Sequence, residues 1–157
     1  PMTWRFNAGF PYTQEFEDTV IRDLSQPYVQ GLTLIGGEPM VNTPTAIKLC
    51  KTFRKEFGND KDIWCWTGFT WEELHREGAT KDKLELLEYV DILVDGRFME
   101  DYKDPFLQFR GSSNQRIIDV KRSTKDSIHI WDKLNDQKNS YKEFNANQRS
   151  DIEGIQS

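Results

Sequence analysis

Two different hydrophobic periods alternate along residues 1–121 of the chain. In three segments the apolar residues recur every three or four positions, a spacing that places them on one face of a helix. These predicted helices cover residues 13–26, 44–57 and 81–89. Thr13 and Thr43 are placed to cap the first two helices. Thr70 followed by Glu73 has the spacing of a capping box, which predicts one more helix.

Four short apolar runs, each bounded by turn residues, predict buried strands between and after these helices. They cover residues 32–35, 62–66, 90–95 and 116–120. Because strands and helices alternate with short connections, the order predicts βα units, right-handed crossovers and a parallel sheet. The expected fold class is therefore α/β, with one domain over residues 1–121.

Residues 122–157 differ from the rest in composition. They are rich in Asn, Gln, Ser, Asp and Lys, and their six basic and six acidic residues cancel, so the net charge of -5 lies in residues 1–121. Such a composition is typical of segments that cannot bury a core of their own. We expect a polar tail that is partly helical around Ile128, Trp131 and Leu134 and otherwise disordered or dependent on a partner.

Charge, hydropathy and cysteine content exclude several classes of protein. A net charge of -5 argues against broad binding to nucleic acid, which needs a cationic surface. No apolar run approaches the roughly 20 residues that span a bilayer, which argues against a membrane protein. The two cysteines, Cys50 and Cys65, are too few for a disulfide framework and have no CxxC neighbour. They indicate a cytoplasmic protein with two buried thiols.

Polar and flexible residues follow three of the predicted strands. Gly36-Gly37-Glu38 comes after the first, Thr67-Gly68 after the second, and Asp95-Gly96-Arg97 after the third. Because the carboxyl ends of parallel strands share one edge of a sheet, we expect these groups to lie together. The glycines let backbone approach a ligand, carbonyls and carboxylates suit an ammonium group, and Arg97 suits a carboxylate. This set predicts a site for a small zwitterion.

Each of these features also has a plainer interpretation. Gly36-Gly37-Glu38-Pro39 suits a tight turn between a strand and a helix, Thr67 suits a turn or a cap, and Arg97 suits a surface ion pair. Four aromatic residues near the N-terminus form either an exposed docking face or part of a core; they are Trp4, Phe6, Phe10 and Tyr12.

Six short sequence motifs, which occur in order over residues 1–121, resemble those of a known family. They are Thr3-Trp4-Arg5, Gly36-Gly37-Glu38-Pro39, Asp62 to Phe69, Val94 to Phe98, Lys103-Asp104-Pro105 and Arg110-Gly111-Ser112-Ser113-Asn114-Gln115. Gly-Gly-Glu-Pro alone is a weak signal, whereas the ordered set is specific. The chain resembles the anaerobic ribonucleoside-triphosphate reductase-activating proteins, which are radical S-adenosylmethionine enzymes.

The resemblance implies a fold, a reaction and its partners. The fold would be a partial, open (β/α)6 barrel. Members of the family hold a 4Fe–4S cluster with three cysteines in a CxxxCxxC loop, and the cluster's open iron binds S-adenosyl-L-methionine. One electron cleaves the sulfonium, and the resulting 5′-deoxyadenosyl radical takes a hydrogen from a glycine of the reductase. A flavodoxin-type or other electron donor is implied as a second partner.

The resemblance also assigns candidate ligand-binding residues. Gly36 and Gly37 match the contacts to the methionine amine, with Glu38 shaping the turn. Asp95 and Arg97 match an Asp-x-Lys/Arg pattern beside the methionine moiety, and Thr67 matches a turn at the end of a strand there. Residues 110–115 form either a loop near the partner's glycine or a purely structural loop.

One part of the family pattern is absent from the printed sequence, which has no CxxxCxxC motif. Pro1 begins about where the family continues after the third cysteine, so we expect a truncated chain without the family's first strand and cluster loop. Cys50 and Cys65 have the wrong number and spacing to replace that loop. We therefore expect this chain to be inactive as given.

Two alternatives remain open at this point. One is a non-catalytic α/β module that binds the reductase or a small zwitterion, and the other is an unrelated, doubly wound domain with a ligand turn at Gly36-Gly37. The loss of a first strand would also expose one edge of the sheet, which predicts a homo-oligomer formed through that edge.

Overall fold

The structure is a computed structural model that describes residues 2–131. Five strands in these residues form one sheet, in the order in which they occur along the chain. The strands are β1 (Met2–Phe6), β2 (Val29–Leu34), β3 (Asp62–Trp66), β4 (Ile92–Asp95) and β5 (Arg116–Asp119). The helices are α1 (Gln14–Leu24), α2 (Thr43–Phe57), α3 (Trp71–Leu74) and α4 (Lys81–Tyr89), with a short 3-10 turn at Glu100–Tyr102.

Side-chain capping hydrogen bonds explain where two of the four described helices begin. The Thr13 side chain accepts a hydrogen bond from the Phe16 N–H at the start of α1. Thr70 and Glu73 form the expected capping box at α3. The cap predicted for α2 is wrong by one residue, because Asn42 holds the cap position and Thr43 opens the helix.

The first four strands pair in parallel, each with its neighbour in the sequence. Right-handed crossovers between strands that advance in one direction place every connecting helix on the same face of the sheet. A doubly wound sheet instead reverses direction at a switch point and has helices on both faces. The strand order therefore excludes the doubly wound alternative and confirms an α/β sheet of mainly parallel strands.

β5 runs antiparallel to β4, which corrects the expectation of a wholly parallel sheet. The connection between them has only the 3-10 turn and no helix that could cross the sheet. It is also fastened beside the end of β4, where the Gln115 Nε2 donates to the Gly96 carbonyl at 3.0 Å. The chain therefore enters β5 from the edge at which β4 ends and must run back along it.

The strand at the N-terminal edge of the sheet, β1, was not predicted. Trp4 and Phe6 point from it towards α1, where their ring centroids lie 5.8 and 5.9 Å from that of Phe16. Tyr12 packs against the same rings, whereas Phe10 is largely exposed. Three of the four N-terminal aromatics thus belong to the core, and Phe10 alone faces solvent.

The two faces of the sheet are covered differently. Ile63 and Cys65 of β3 lie in a core that also contains apolar residues of all four helices. Trp64 and Trp66 of the same strand point to the other face and pack with apolar residues of β4 and β5. There the two rings stack 5.5 Å apart, and Trp131 meets Trp64 edge-on at 5.1 Å. Aromatic side chains, instead of helices, thus cover the second face.

The start of the predicted tail is part of this structure. Ile130 pairs with Ile118 of β5, and the Trp131 N–H donates to the Ile117 carbonyl at 2.8 Å. Residues 128–131 are therefore extended, and the helix predicted around Ile128 and Trp131 is wrong for this portion. The third residue of that prediction, Leu134, and the rest of the tail lie outside the described residues.

No helix in residues 2–131 combines the length and the apolar character that crossing a bilayer requires.

Arg54, near the end of α2, joins four segments of the chain at the edge opposite the candidate site. Its guanidinium donates to the carbonyls of Gly58, Lys61 and Tyr89 and pairs with the Asp91 carboxylate at 2.7 Å. The Asp91 carboxylate also accepts the Ile63 N–H at the start of β3. One mostly buried cation therefore aligns the end of α2, the end of α4 and the first residues of β3 and β4.

We expect Arg54→Met to lower the free energy of unfolding by about 2–4 kcal/mol, because it leaves a half-buried carboxylate and three carbonyls without their cation. Urea denaturation of the 157-residue chain measures this change. The control is Lys55→Met, which removes an exposed cation from the same helical turn and should change stability by less than about 0.5 kcal/mol. Equal effects of the two substitutions would contradict the role of Arg54.

Candidate functional site

The turns that follow β2, β3 and β4 meet at one edge of the sheet, as expected for parallel strands. They enclose an open cavity of about 290 Å³. Its wall includes Gly36, Glu38, Thr67, Gly68 and Arg97. Four of the six predicted site residues therefore line one cavity, while Gly37 and Asp95 lie outside its wall.

Gly36 and Gly37 have the left-handed backbone that the sequence indicated, with φ of +74° and +58°. They also pass very close to the turn that follows β1. A Cβ on Gly37 would lie 2.2 Å from the Gly9 backbone nitrogen, and one on Gly36 would lie 2.8 Å from the Asn7 side-chain nitrogen. Both positions thus require glycine for conformation and for space.

Asn7 is a contributor that the sequence analysis missed. Its Oδ1 accepts the Gly9 N–H at 2.9 Å, which folds the turn after β1 against the glycine pair. The signal available in the sequence was an Asn-x-Gly triplet directly after a short strand, a pattern typical of Asx turns. It was overlooked because β1 itself was not predicted.

The Glu38 carboxylate joins the end of β2 to the end of β3. Its oxygens accept hydrogen bonds from the Thr67 hydroxyl at 2.9 Å, the Gly68 N–H at 2.7 Å and the Met40 N–H at 3.1 Å. The Thr67 hydroxyl in turn accepts the Phe69 N–H at 3.2 Å. Glu38 and Thr67 thus have their polar atoms engaged with each other and with backbone, and they shape the cavity wall.

Asp95 is fully buried and lies in an ion pair. Its carboxylate accepts the Trp71 N–H at 2.8 Å and the backbone N–H and guanidinium of Arg116. Arg116 also reaches the more exposed carboxylate of Glu72 at 2.6 Å. Burial raises the pKa of Asp95, and the hydrogen bonds and charge of Arg116 act in the opposite direction. Asp95 therefore joins α3 to β5 through protein partners, and its predicted contact with the ligand remains a prediction.

Arg97 is the predicted site residue with its charged group available. Its side chain is exposed and is in no ion pair within residues 2–131. The Cγ atom lies 3.5 Å from the position of a Cβ on Gly68, so the aliphatic part of Arg97 crosses that glycine. The surface ion pair considered from the sequence is absent from this part of the chain. A guanidinium that interacts electrostatically with the nearby Glu73 carboxylate thus stands beside the cavity as a receptor for an anionic group.

The segment 110–115 is fastened to the turn that carries Arg97. The Asn114 Nδ2 donates to the Arg97 carbonyl at 2.8 Å, and the Gln115 Nε2 donates to the Gly96 carbonyl. The Gln115 Oε1 also accepts the N–H groups of Gly111 and Ser112. The structure thus gives this segment contacts with the candidate site, while its predicted proximity to a partner's glycine remains a prediction.

The two cysteines do not fit a 4Fe–4S cluster. Cluster ligands are thiolates, and three are expected from the motif of the family that the chain resembles. Cys50 and Cys65 are both free and fully buried, as the sequence predicted. Burial raises the pKa of Cys50 to about 12 and that of Cys65 well above its usual value. Among residues 2–131, no group of three or more Cys, His, Asp and Glu side chains is placed to hold a metal ion.

Comparisons with known proteins agree with the resemblance. The 4Fe-4S single cluster domain family matches residues 1–118. An anaerobic ribonucleoside-triphosphate reductase-activating protein of Escherichia coli is 42% identical over 119 residues, which are 73% of each chain. Proteins of the same name from Vibrio cholerae and Haemophilus influenzae are 43% and 39% identical, again over 73% of each chain.

No solved structure gives a significant match. The family match and the three relatives each cover more than two thirds of the chain. The chain therefore belongs to the family of anaerobic ribonucleoside-triphosphate reductase-activating proteins and contains that family's 4Fe-4S single cluster domain region.

Proposed function

We propose that this chain binds S-adenosyl-L-methionine at the shared edge of β2, β3 and β4 and serves the activation of anaerobic ribonucleoside-triphosphate reductase. The observation that carries the proposal is the Gly36-Gly37 turn. The turn has a left-handed backbone, is held to β3 by Glu38, and lines, through Gly36, the same cavity as the exposed side chain of Arg97. The reductase as partner is inferred from the names of the relatives.

The polar groups at this edge match the two charges of an amino acid. The glycine turn offers the Gly36 carbonyl, on the cavity wall, as the acceptor for the methionine ammonium, since the Gly37 carbonyl already accepts the Asn42 side-chain amide. Arg97 provides a guanidinium for the methionine carboxylate, and Glu38 with Thr67 keeps the two parts of the site together. When bound, the ligand supplies a sulfonium whose carbon–sulfur bond one electron can cleave.

The sheet is consistent with part of an open barrel, and we infer that this is the fold of the domain. Its first four strands advance in one direction and its helices cover one face. The other face borders a cavity of about 670 Å³ that is lined by Trp64, Trp66, Phe109 and Trp131 among others. A flavodoxin-type electron donor and a cytoplasmic location complete the proposal, on the strength of the resemblance and of the cysteine content.

We further propose that the 157-residue polypeptide does not activate the reductase by itself. The support is its cysteines, which are two in number and buried, and whose pKa values are raised by that burial. The same observation favours a second candidate function, in which the chain is a non-catalytic module that binds the zwitterion or the reductase. The two candidates share the ligand site and differ in the cluster.

Arg97→Gln should weaken binding of S-adenosylmethionine by about tenfold, because it removes the charge that faces the ligand's carboxylate. Binding of 5′-methylthioadenosine, which has no amino-acid group, should not change. Isothermal titration calorimetry of the purified chain measures both affinities. The matched control is Arg22→Gln, which removes an exposed arginine of α1 that lies outside the site.

Two outcomes would overturn the ligand assignment. One is a wild-type chain that does not bind S-adenosylmethionine at millimolar concentration. The other is an equal loss of affinity for both compounds in Arg97→Gln, since that would show that the arginine does not recognise the amino-acid group.

Anaerobic reconstitution with iron and sulfide separates the two candidate functions. We expect far less than one 4Fe–4S cluster per chain, because both thiols are buried and their thiolates are disfavoured. Iron and acid-labile sulfide assays give the stoichiometry, and a parallel sample of Cys50→Ala measures non-specific iron. One cluster per wild-type chain would contradict the proposed inactivity.

A further inference from the structure

We propose that Asn114 is a positioning residue for Arg97, and that its amide sets the affinity of the site for the ligand's carboxylate. The inference rests on the proposed function, since it concerns the same ligand. It assigns a role within the site to one residue of the segment 110–115.

Asn114 contacts Arg97 directly. Asn114 is 8% exposed, and its Nδ2 donates to the Arg97 carbonyl at 2.8 Å. Arg97 follows Gly96, whose φ of +89° turns the chain sharply away from β4. Within residues 2–131, the hydrogen bond that the structure shows for the Arg97 carbonyl comes from the Asn114 amide. The direction in which the Arg97 side chain leaves the turn therefore depends on this bond.

Stability alone does not explain an amide at this position. Because a carbonyl can only accept, the Nδ2 must face Arg97, and this fixes the orientation of the amide. The Oδ1 is then buried without a hydrogen-bond partner among the described residues. A buried acceptor without a partner destabilises the folded state. A leucine of similar size would remove that penalty, but it would leave the Arg97 carbonyl without the Asn114 donor.

The neighbouring residue gives the contrast. Both ends of the Gln115 amide are satisfied, with the Nε2 on the Gly96 carbonyl and the Oε1 on two backbone N–H groups. Gln115 therefore has the contacts of a stabilising residue. In Asn114 only the Nδ2 end of the amide has a hydrogen-bond partner among the described residues, and that partner is the Arg97 carbonyl.

Asn114 also lies next to the candidate site. Asn114 and Arg97 line the same cavity of about 600 Å³, which adjoins the smaller one at the glycine turn. Asn114 contacts the backbone of Arg97, so this contact leaves the guanidinium available to the ligand.

The test compares Asn114→Leu with the wild-type chain in three measurements. The thermal midpoint should change little, because the loss of the unsatisfied acceptor offsets the loss of the hydrogen bond to the Arg97 carbonyl. Tryptic cleavage of the Arg97–Phe98 bond, followed by mass spectrometry, should become several-fold faster as the turn loosens. The dissociation constant of S-adenosylmethionine should rise about five- to tenfold, while that of 5′-methylthioadenosine should stay the same.

Three further variants keep the test decisive. Asn114→Ala should show the same changes in cleavage and affinity, and it replaces Asn114→Leu if leucine does not fit. Ser113→Ala changes the adjacent half-buried side chain and should match the wild-type chain in all three measurements. Gln115→Met should lower the thermal midpoint, as expected for a residue that stabilises the fold.

Each outcome has a defined meaning. A wild-type chain that does not bind S-adenosylmethionine overturns the proposed function and this inference with it. Wild-type binding together with unchanged affinity in both Asn114 variants overturns the inference alone. A fall of the thermal midpoint in both variants that accompanies the loss of affinity also overturns it, because Asn114 would then be a structural residue.

Discussion

The Glu38 carboxylate is the interaction on which the geometry of the candidate site depends. It accepts donors from the ends of two neighbouring strands, and so fixes the glycine turn after β2 relative to the turn after β3. A carboxylate that accepts several hydrogen bonds is held in one orientation. The Glu38 carboxylate is therefore already paired with donors of the protein. Recognition of a ligand then depends on the peptide groups of the glycine turn and on Arg97.

Local signals in the sequence were sufficient for much of the fold. The β3 strand, the α4 helix and the capping box of α3 lie where the sequence predicted them, because each depends on residues within a few positions of one another. β1 was missed because it is an edge strand of mixed polarity whose partner is more than twenty residues away. The direction of β5 was wrong for a similar reason, since a side-chain contact between loops decides it.

The candidate site shows the same difference between features set by local sequence and features set by distant contacts. The left-handed glycines could be predicted, because few other residues adopt that backbone. The partners of Asp95 could not, because Arg116 and the Trp71 N–H come from distant parts of the chain. The contacts of Asn7 with the glycine turn and of Asn114 with Arg97 could not be predicted for the same reason, as each acts on a turn that another strand brings to it. The sequence thus indicated local backbone conformations, but it did not indicate the contacts that stabilise them.

The pairing of Ile130 with β5 has a consequence for assembly. On the outer side of β5 the Asp119 N–H and the Ile117 carbonyl are engaged by residues 129–131, whereas no described segment lies beside β1. A sheet with two open edges can add copies without limit and grow into a fibre. Pairing through one edge alone joins two copies about a two-fold axis and then ends. If the β1 edge is the one that pairs, growth through the backbone of this domain stops at a closed pair.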